Sequence, residues 1–205
     1  MAGLPSLLLD VFPHTSELGE HESHLYSLFA FVLLHDDFTL EAEQARRALT
    51  VGSSKGRTQV AWYWWQQTNS ATDYGATLFR ERLKYLLTAV WPLDLELKEE
   101  GSSENLVRLA SCCGTEFPNA VATIIPRLTK MKKPEMIIWS LKEKDLAHKY
   151  PVAMLALLDS FIADEIESWA WKDLNALLTK ISAAEPSLNG DPSFMRLHAL
   201  VQRFE

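Results

Sequence analysis

The chain has 205 residues and a mass of 23.3 kDa, with 47% apolar and 23% charged residues. That is the balance of an ordinary globular protein, and it excludes a disordered chain, a collagen-like fibre and a disulfide-stapled mini-protein. The formal charge of −7 leaves no general basic surplus of the kind that neutralises phosphates, which argues against nucleic acid as a partner. Eight glycines, nine prolines and the lack of long β-branched runs argue against an all-β fold.

Residues 1–18 read as a poorly regular N-terminal segment. They carry no positive n-region and are interrupted by Pro5, Asp10 and Pro13, so they make a poor signal peptide. The apolar cluster Leu7-Leu8-Leu9 with Val11-Phe12 makes Leu8, Leu9 and Phe12 candidate interaction residues, through a docking segment or an oligomer contact. A first helix is predicted from about Glu20 to Leu34. Its apolar run from Leu28 to Leu34 falls well short of the roughly 20 residues that span a bilayer, so no membrane is expected.

Thr39 is placed to cap a second helix over about 40–50, and Gly52-Ser53-Ser54-Lys55-Gly56 reads as a turn. The turn is no phosphate loop, because no lysine follows its second glycine and no strand precedes it. Arg46, Arg47, Lys55 and Arg57 could gather around it as a small basic spot able to contact an anion. A third helix, about 58–67, contains Trp62-Tyr63-Trp64-Trp65. Rings wrapping so much of a helix read as core. If exposed, they would stack on bases or anchor a partner, and Trp64 is carried as the candidate interaction residue. A fourth helix runs from about Thr72 to Trp91 and is stopped by Pro92.

Residues 93–101, with Leu93-Asp94-Leu95-Glu96-Leu97 alternating, read as a connector between two helical halves in preference to a single edge strand, for which no partner is evident. Ser102 or Ser103 then caps a fifth helix, and Gly114 lies just past its end, where a left-handed residue is cheapest. Further helices are expected at about 116–129, 135–144, 150–162, 170–184 and 192–204, the last with Asp191 at the cap and Pro192 in the first turn. Trp139 reads as packing. Trp169 and Trp171 cannot share a face, so one of them is a candidate interface anchor. The basic run Lys130-Met131-Lys132-Lys133 reads as a solvated inter-helix turn, with Lys130, Lys132 and Lys133 as candidate phosphate or partner contacts.

Phe117-Pro118-Asn119-Ala120 recurs as Tyr150-Pro151-Val152-Ala153, 33 residues on. Proline is tolerated in a first turn, the aromatic can staple the helix start, and alanine permits close helix approach. Phe117, Pro118, Ala120, Tyr150, Pro151 and Ala153 therefore define a structural repeat. The tetratricopeptide and ankyrin signatures are missing, which leaves a HEAT-like arrangement. The fold expected is all-α: an irregular HEAT-like α-solenoid of about nine to ten helices in antiparallel pairs, forming one domain over 1–205.

The run Leu83 to Pro92, then Leu106 to Gly114, Phe117-Pro118-Asn119-Ala120-Val121, Tyr150-Pro151-Val152-Ala153, Leu174 to Ile181, Pro186, Asp191 and Leu197 resembles the helical, HEAT-like C-terminal regions of large multidomain bacterial proteins of the phage-defence type. The similarity spans about residues 58–205. Some of those proteins carry an N-terminal ATPase or sirtuin-like effector, and no such domain accompanies this chain. The resemblance thus implies a scaffold alone, as a stand-alone subunit or a truncated product, with no catalytic residues to carry over.

No motif selects a catalytic set, a cofactor or a metal. His21 and His24 sit one helical turn apart, but no second ligand pair is fixed by spacing. The adjacent Cys112 and Cys113 would form a strained disulfide and read as packing residues in a reducing, cytoplasmic setting. The expected function is a non-catalytic helical repeat scaffold that mediates protein–protein interaction, with a homo-oligomer as a further option. The alternative is an all-α enzyme or small-ligand binder with its pocket near helix 58–67.

Overall fold

The computed structural model describes residues 21–35, 42–70, 82–92, 100–165 and 171–204. The described residues are helical and contain no strand beyond one isolated bridge. Leu8, Leu9, Phe12, Trp169 and most of the 93–101 connector lie outside them.

Helix α1 (Glu22–Leu34) is apolar on most sides and buries Tyr26, Phe29, Ala30, Val32, Leu33 and Leu34. Helix α2 (Ala42–Val51) is a narrower stripe that buries Ala45, Ala48 and Leu49. Helix α3 runs from Ser54 to Ser70, so it starts earlier than the glycine pair suggested and shrinks the expected turn to Gly52-Ser53. Ser53 Oγ accepts the Gly56 N–H at 2.9 Å, a cap that satisfies one of the helix's orphan donors. Gly56 serves packing rather than a turn: a Cβ there would stand 2.0 Å from Tyr26 Cζ.

Helix α4 (82–90) ends in a π-helical turn over Leu86–Val90, closed by Trp91 N donating to Leu86 O at 2.7 Å. Helix α5 (Glu100–Ala110) begins inside the expected connector. Ser103 is therefore interior, not a cap; it is buried, and its Oγ accepts the Thr129 N–H at 2.9 Å. Gly114, at φ 58°, supplies the left-handed stop foreseen after α5. Helix α6 (Phe117–Ile124) passes into a 3₁₀ turn, Ile125–Arg127, because Pro126 has no N–H to continue the α ladder.

The remaining helices are α7 (Glu135–Lys142), a short α8 (Leu146–Lys149), α9 (Pro151–Phe161), α10 (Trp171–Ala184) and α11 (Pro192–Gln202). Asp191 Oδ1 accepts from Ser193 N at 2.8 Å, the cap expected for α11. The basic loop before α7 is tied down through its buried member. Met131 N donates to Phe161 O at 2.7 Å, and Met131 O accepts from Ala163 N at 3.1 Å.

The helices pack in two rows. One runs α1, α3, α5, α7, α10 and the other α2, α4, α6, α9, α11, each helix against the next in its row. Contacts of α5 with α6, α9 with α10 and α10 with α11 join the rows, and α8 lies against α7, α9 and α10. A core cluster extends from Tyr26 to Val201. Arginines close several helix C-termini, where carbonyls are left without intrahelical partners. Arg82 Nε donates to Leu33 O at 2.9 Å, Arg57 Nη1 to Leu49 O at 2.9 Å, and Arg196 Nη2 to Asp159 O at 3.0 Å.

Candidate interaction surface

The two copies of the aromatic-Pro-x-Ala motif open α6 and α9, neighbours in the same row. Pro118 and Pro151 occupy the first turns, where a missing N–H costs nothing. Phe117 is fully buried, and its ring lies 5.9 Å from that of half-buried Tyr150, inclined by 40°. Ala120 is also buried and keeps the approach short. Between the two helices this leaves an open groove of about 410 Å³ along Pro118, Val121, Ala122, Tyr150, Pro151, Val152, Ala153 and Ala156. The lining holds no charged side chain and one hydroxyl, that of Tyr150. Chemically it can accept apolar side chains and bring little else to bear. Val152 is 63% exposed at its rim.

Sequence reasoning assigned Pro118, Tyr150, Pro151 and Ala153 a structural part, and they are also groove walls. It missed Val121, Ala122, Val152 and Ala156. The available signal was the spacing of Val152 and Ala156, which puts two apolar residues on one face, four apart, where a surface helix normally turns polar residues outward.

A second groove, of about 450 Å³, lies between α10 and α11 and is more polar. Asn175, Thr179, Ser182, Asn189 and His198 line it with Phe194, whose ring stacks on His198 at 6.1 Å.

Two tryptophans, one in α3 and one in α7, depart from a role read for them, while the core reading of the aromatic quartet is met at Trp64. Trp64 is no surface anchor: it is fully buried, donates Nε1–H to Ala30 O at 3.0 Å and meets Trp91 edge-on at 5.9 Å. Its position on the α3 face toward α1 decides this, and Trp62 is the exposed member of the quartet. Trp139, expected to pack, is 51% exposed, and Met136 one turn earlier is 63% exposed. In α7 the face of Ile137, Ile138 and Leu141 is the buried one. The guanidinium of Arg108 lies 4.9 Å over Trp65. Neither groove is lined by a residue of 58–67.

Lys130, Lys132 and Lys133 are exposed on the loop before α7, and Lys132 Nζ comes within 3.9 Å of the Glu165 carboxylate. The structure does not bring them to either groove. The expected basic spot also disperses: Arg57 is buried on the carbonyls that end α2, while Arg46 reaches across to Ala89 O. Cys112 and Cys113 are unbridged and buried, with Lys144 Nζ 3.1 Å from Cys112 Sγ. Among the described residues no three His, Cys, Asp or Glu side chains are grouped to hold a metal ion, and no helix is long and apolar enough to cross a membrane.

One ion pair flanks the Pro118 end of α6. Lys84 Nζ lies 2.6 Å from Glu116 Oε2, and hydrogen bonds from Lys84 and then Asn119 hold the Glu116 carboxyl below its ordinary value.

No protein-family model matches the chain, and no solved structure does. It is similar to "Uncharacterized protein y4cA" of Sinorhizobium fredii (strain NBRC 101917 / NGR234), with 24% identity over 166 residues. The match covers 78% of this chain and 14% of the length of that protein.

Proposed function

We propose that the chain is a non-catalytic, HEAT-like α-solenoid scaffold that holds a protein partner on the face formed by α6 and α9. The groove carries this reading: an open, uncharged channel stands where the repeat motif recurs in two adjacent helices. The two rows support the solenoid, since contacts between successive members of each row are the pattern of stacked helix pairs. A groove of this volume suits one or two apolar anchor side chains of a partner, the part of an interface that contributes most affinity.

A match to 14% of a much longer protein is what a helical module shared with a multidomain chain would give. On the resemblance to phage-defence-type helical regions, the partner is an effector subunit of a bacterial defence or stress system.

The test is tagged purification from the native host at gentle salt, with mass spectrometry and light scattering, for the unaltered chain and for Val152→Asp. The scaffold reading expects a stoichiometric protein that accompanies the first and is lost from the second. A monomer without a companion, or a companion indifferent to Val152→Asp, counts against it.

A further inference from the structure

Two reactive side chains meet between the turns that follow α5 and α7. Lys144 Nζ lies 3.1 Å from Cys112 Sγ, and that sulfur is the ammonium's one side-chain partner among the described residues. Both backbones are held in place. Cys112 N donates to Leu109 O at 2.9 Å, Lys144 N to Leu141 O at 3.2 Å, and Leu146 N to Lys144 O at 2.6 Å. Cys112 is 8% exposed and Lys144 is half-buried beside it, so the sulfur lies just below the surface, in reach of a water-sized reagent. A cysteine beside a lysine and in touch with solvent is in the setting where thiols react, whereas an enclosed one is inert.

An oxidised cysteine, as the sulfenic acid, condenses with a neighbouring thiol or nitrogen. The other candidates around Cys112 are poorly placed. Cys113 is 2% exposed and its Sγ donates to Leu109 O at 3.5 Å, and a disulfide between adjacent residues is strained. The backbone N–H of Cys113 is engaged with Ala110 O at 3.0 Å. Lys144 Nζ remains, already against the sulfur.

We propose that Cys112 and Lys144 form a redox switch that a hydroperoxide closes into a covalent S–N bridge, a sulfenamide. The Cys112 sulfur attacks one peroxide oxygen: the S–O bond forms, the O–O bond breaks, and the departing hydroxide takes the thiol proton and leaves as water. The Lys144 ammonium then releases one proton to solvent, and its nitrogen attacks the sulfur. The S–N bond forms, the S–O bond breaks, and the hydroxide leaves with a second amine proton as water. The sulfur is oxidised by two electrons and hydrogen peroxide is reduced to two waters. Cys112 stands five residues before Phe117, and Lys144 six before Tyr150. The bridge therefore ties together the two turns that lead toward α6 and α9. Its chemistry does not depend on the scaffold reading and can stand or fall apart from it.

The experiment treats the full chain with hydrogen peroxide and follows intact mass, peptide mass spectrometry without reductant, and melting temperature. The expected product is a monomer lighter by two hydrogens, with one thiol lost, a peptide joining Cys112 to Lys144, and a raised melting temperature. Dithiothreitol should reverse all of this, since its thiolate attacks the bridged sulfur and releases the amine. Cys112→Ser should give no bridge. Lys144→Arg keeps the charge and should also give none, leaving a Cys112 sulfenic acid that dimedone captures. Three results overturn the proposal: a Cys112–Cys113 disulfide, a Cys112 that stays a thiol or passes to sulfinic acid unbridged, or an equal rise in melting temperature for Lys144→Arg.

Discussion

Phe117 and Tyr150, 33 residues apart in sequence, meet ring to ring at 5.9 Å, so the two copies of the repeat motif touch through their leading aromatics. The contact joins the starts of α6 and α9, and Tyr150 is also a wall of the groove between them. Truncating buried Phe117 to alanine should cost about 3–5 kcal/mol, a large cavity at a site with little room to collapse. A double-mutant cycle with Tyr150→Ala should show coupling of about 0.5–1.5 kcal/mol in urea denaturation, the usual worth of an aromatic pair beyond its buried area. Strict additivity would remove the repeat contact from the account.

Trp62 and Trp64 should respond in opposite ways to replacement. Trp64→Ala removes a fully buried ring and its hydrogen bond to Ala30 O, at a cost of about 3–5 kcal/mol. Trp62→Ala acts on a ring that is 38% exposed and should cost well under half as much, about 1 kcal/mol. Equal losses in equilibrium unfolding would contradict the orientation of α3.

Gly56→Ala tests the contact between α1 and α3. Alanine is the better helix former by about 1 kcal/mol, but its Cβ would enter the Tyr26 ring. Overpacking of this kind costs about 1–3 kcal/mol. The variant should therefore be less stable, and Tyr26→Leu in the same chain should recover part of the loss. A Gly56→Ala protein more stable than its parent would show that the ring does not lie there.

The Glu116 carboxyl, held below its ordinary value by Lys84 and Asn119, contributes stability with a defined pH dependence. Because the folded value is the depressed one, the contribution is present above the unfolded-state value and lost as pH falls through the folded value. Carbon NMR should find Glu116 titrating below a free glutamate, and Lys84→Met should move it back up. The stability difference between Lys84→Met and the unaltered chain should close as the medium is acidified. A Glu116 titration unmoved by Lys84→Met would break the pairing.

What could be read from the sequence followed the strength of local punctuation. Asp191-Pro192 located the start of α11 and Gly114 the stop after α5, because a cap and a left-handed glycine act through neighbouring backbone alone. Gly56 misled, since a glycine that makes room for Tyr26 looks in sequence like a glycine that makes a turn. The π turn over Leu86–Val90 carries no composition of its own, and its arginine partners arrive from 43 residues before and 40 residues after their acceptors. Trp139 was misjudged because the run Met136-Ile137-Ile138-Trp139 has no polar stripe to orient it and the neighbouring helices choose the buried face, whereas Trp64 lies in the core as the wrapped aromatics read. The proline and alanine positions of the repeat were readable, and the groove they frame was not, because a groove belongs to two helices at once.

The most direct measurement is the affinity of the captured partner for the unaltered chain and for Val152→Asp and Ala156→Asp, with melting temperature recorded for each. Both residues are exposed, so folding should change little, within about 0.5 kcal/mol. A charge pressed into an apolar anchor pocket should weaken binding by about 2 kcal/mol or more, upwards of tenfold. Undiminished affinity in both variants, with the fold intact, would contradict the assignment of the α6–α9 face as the working surface of the protein.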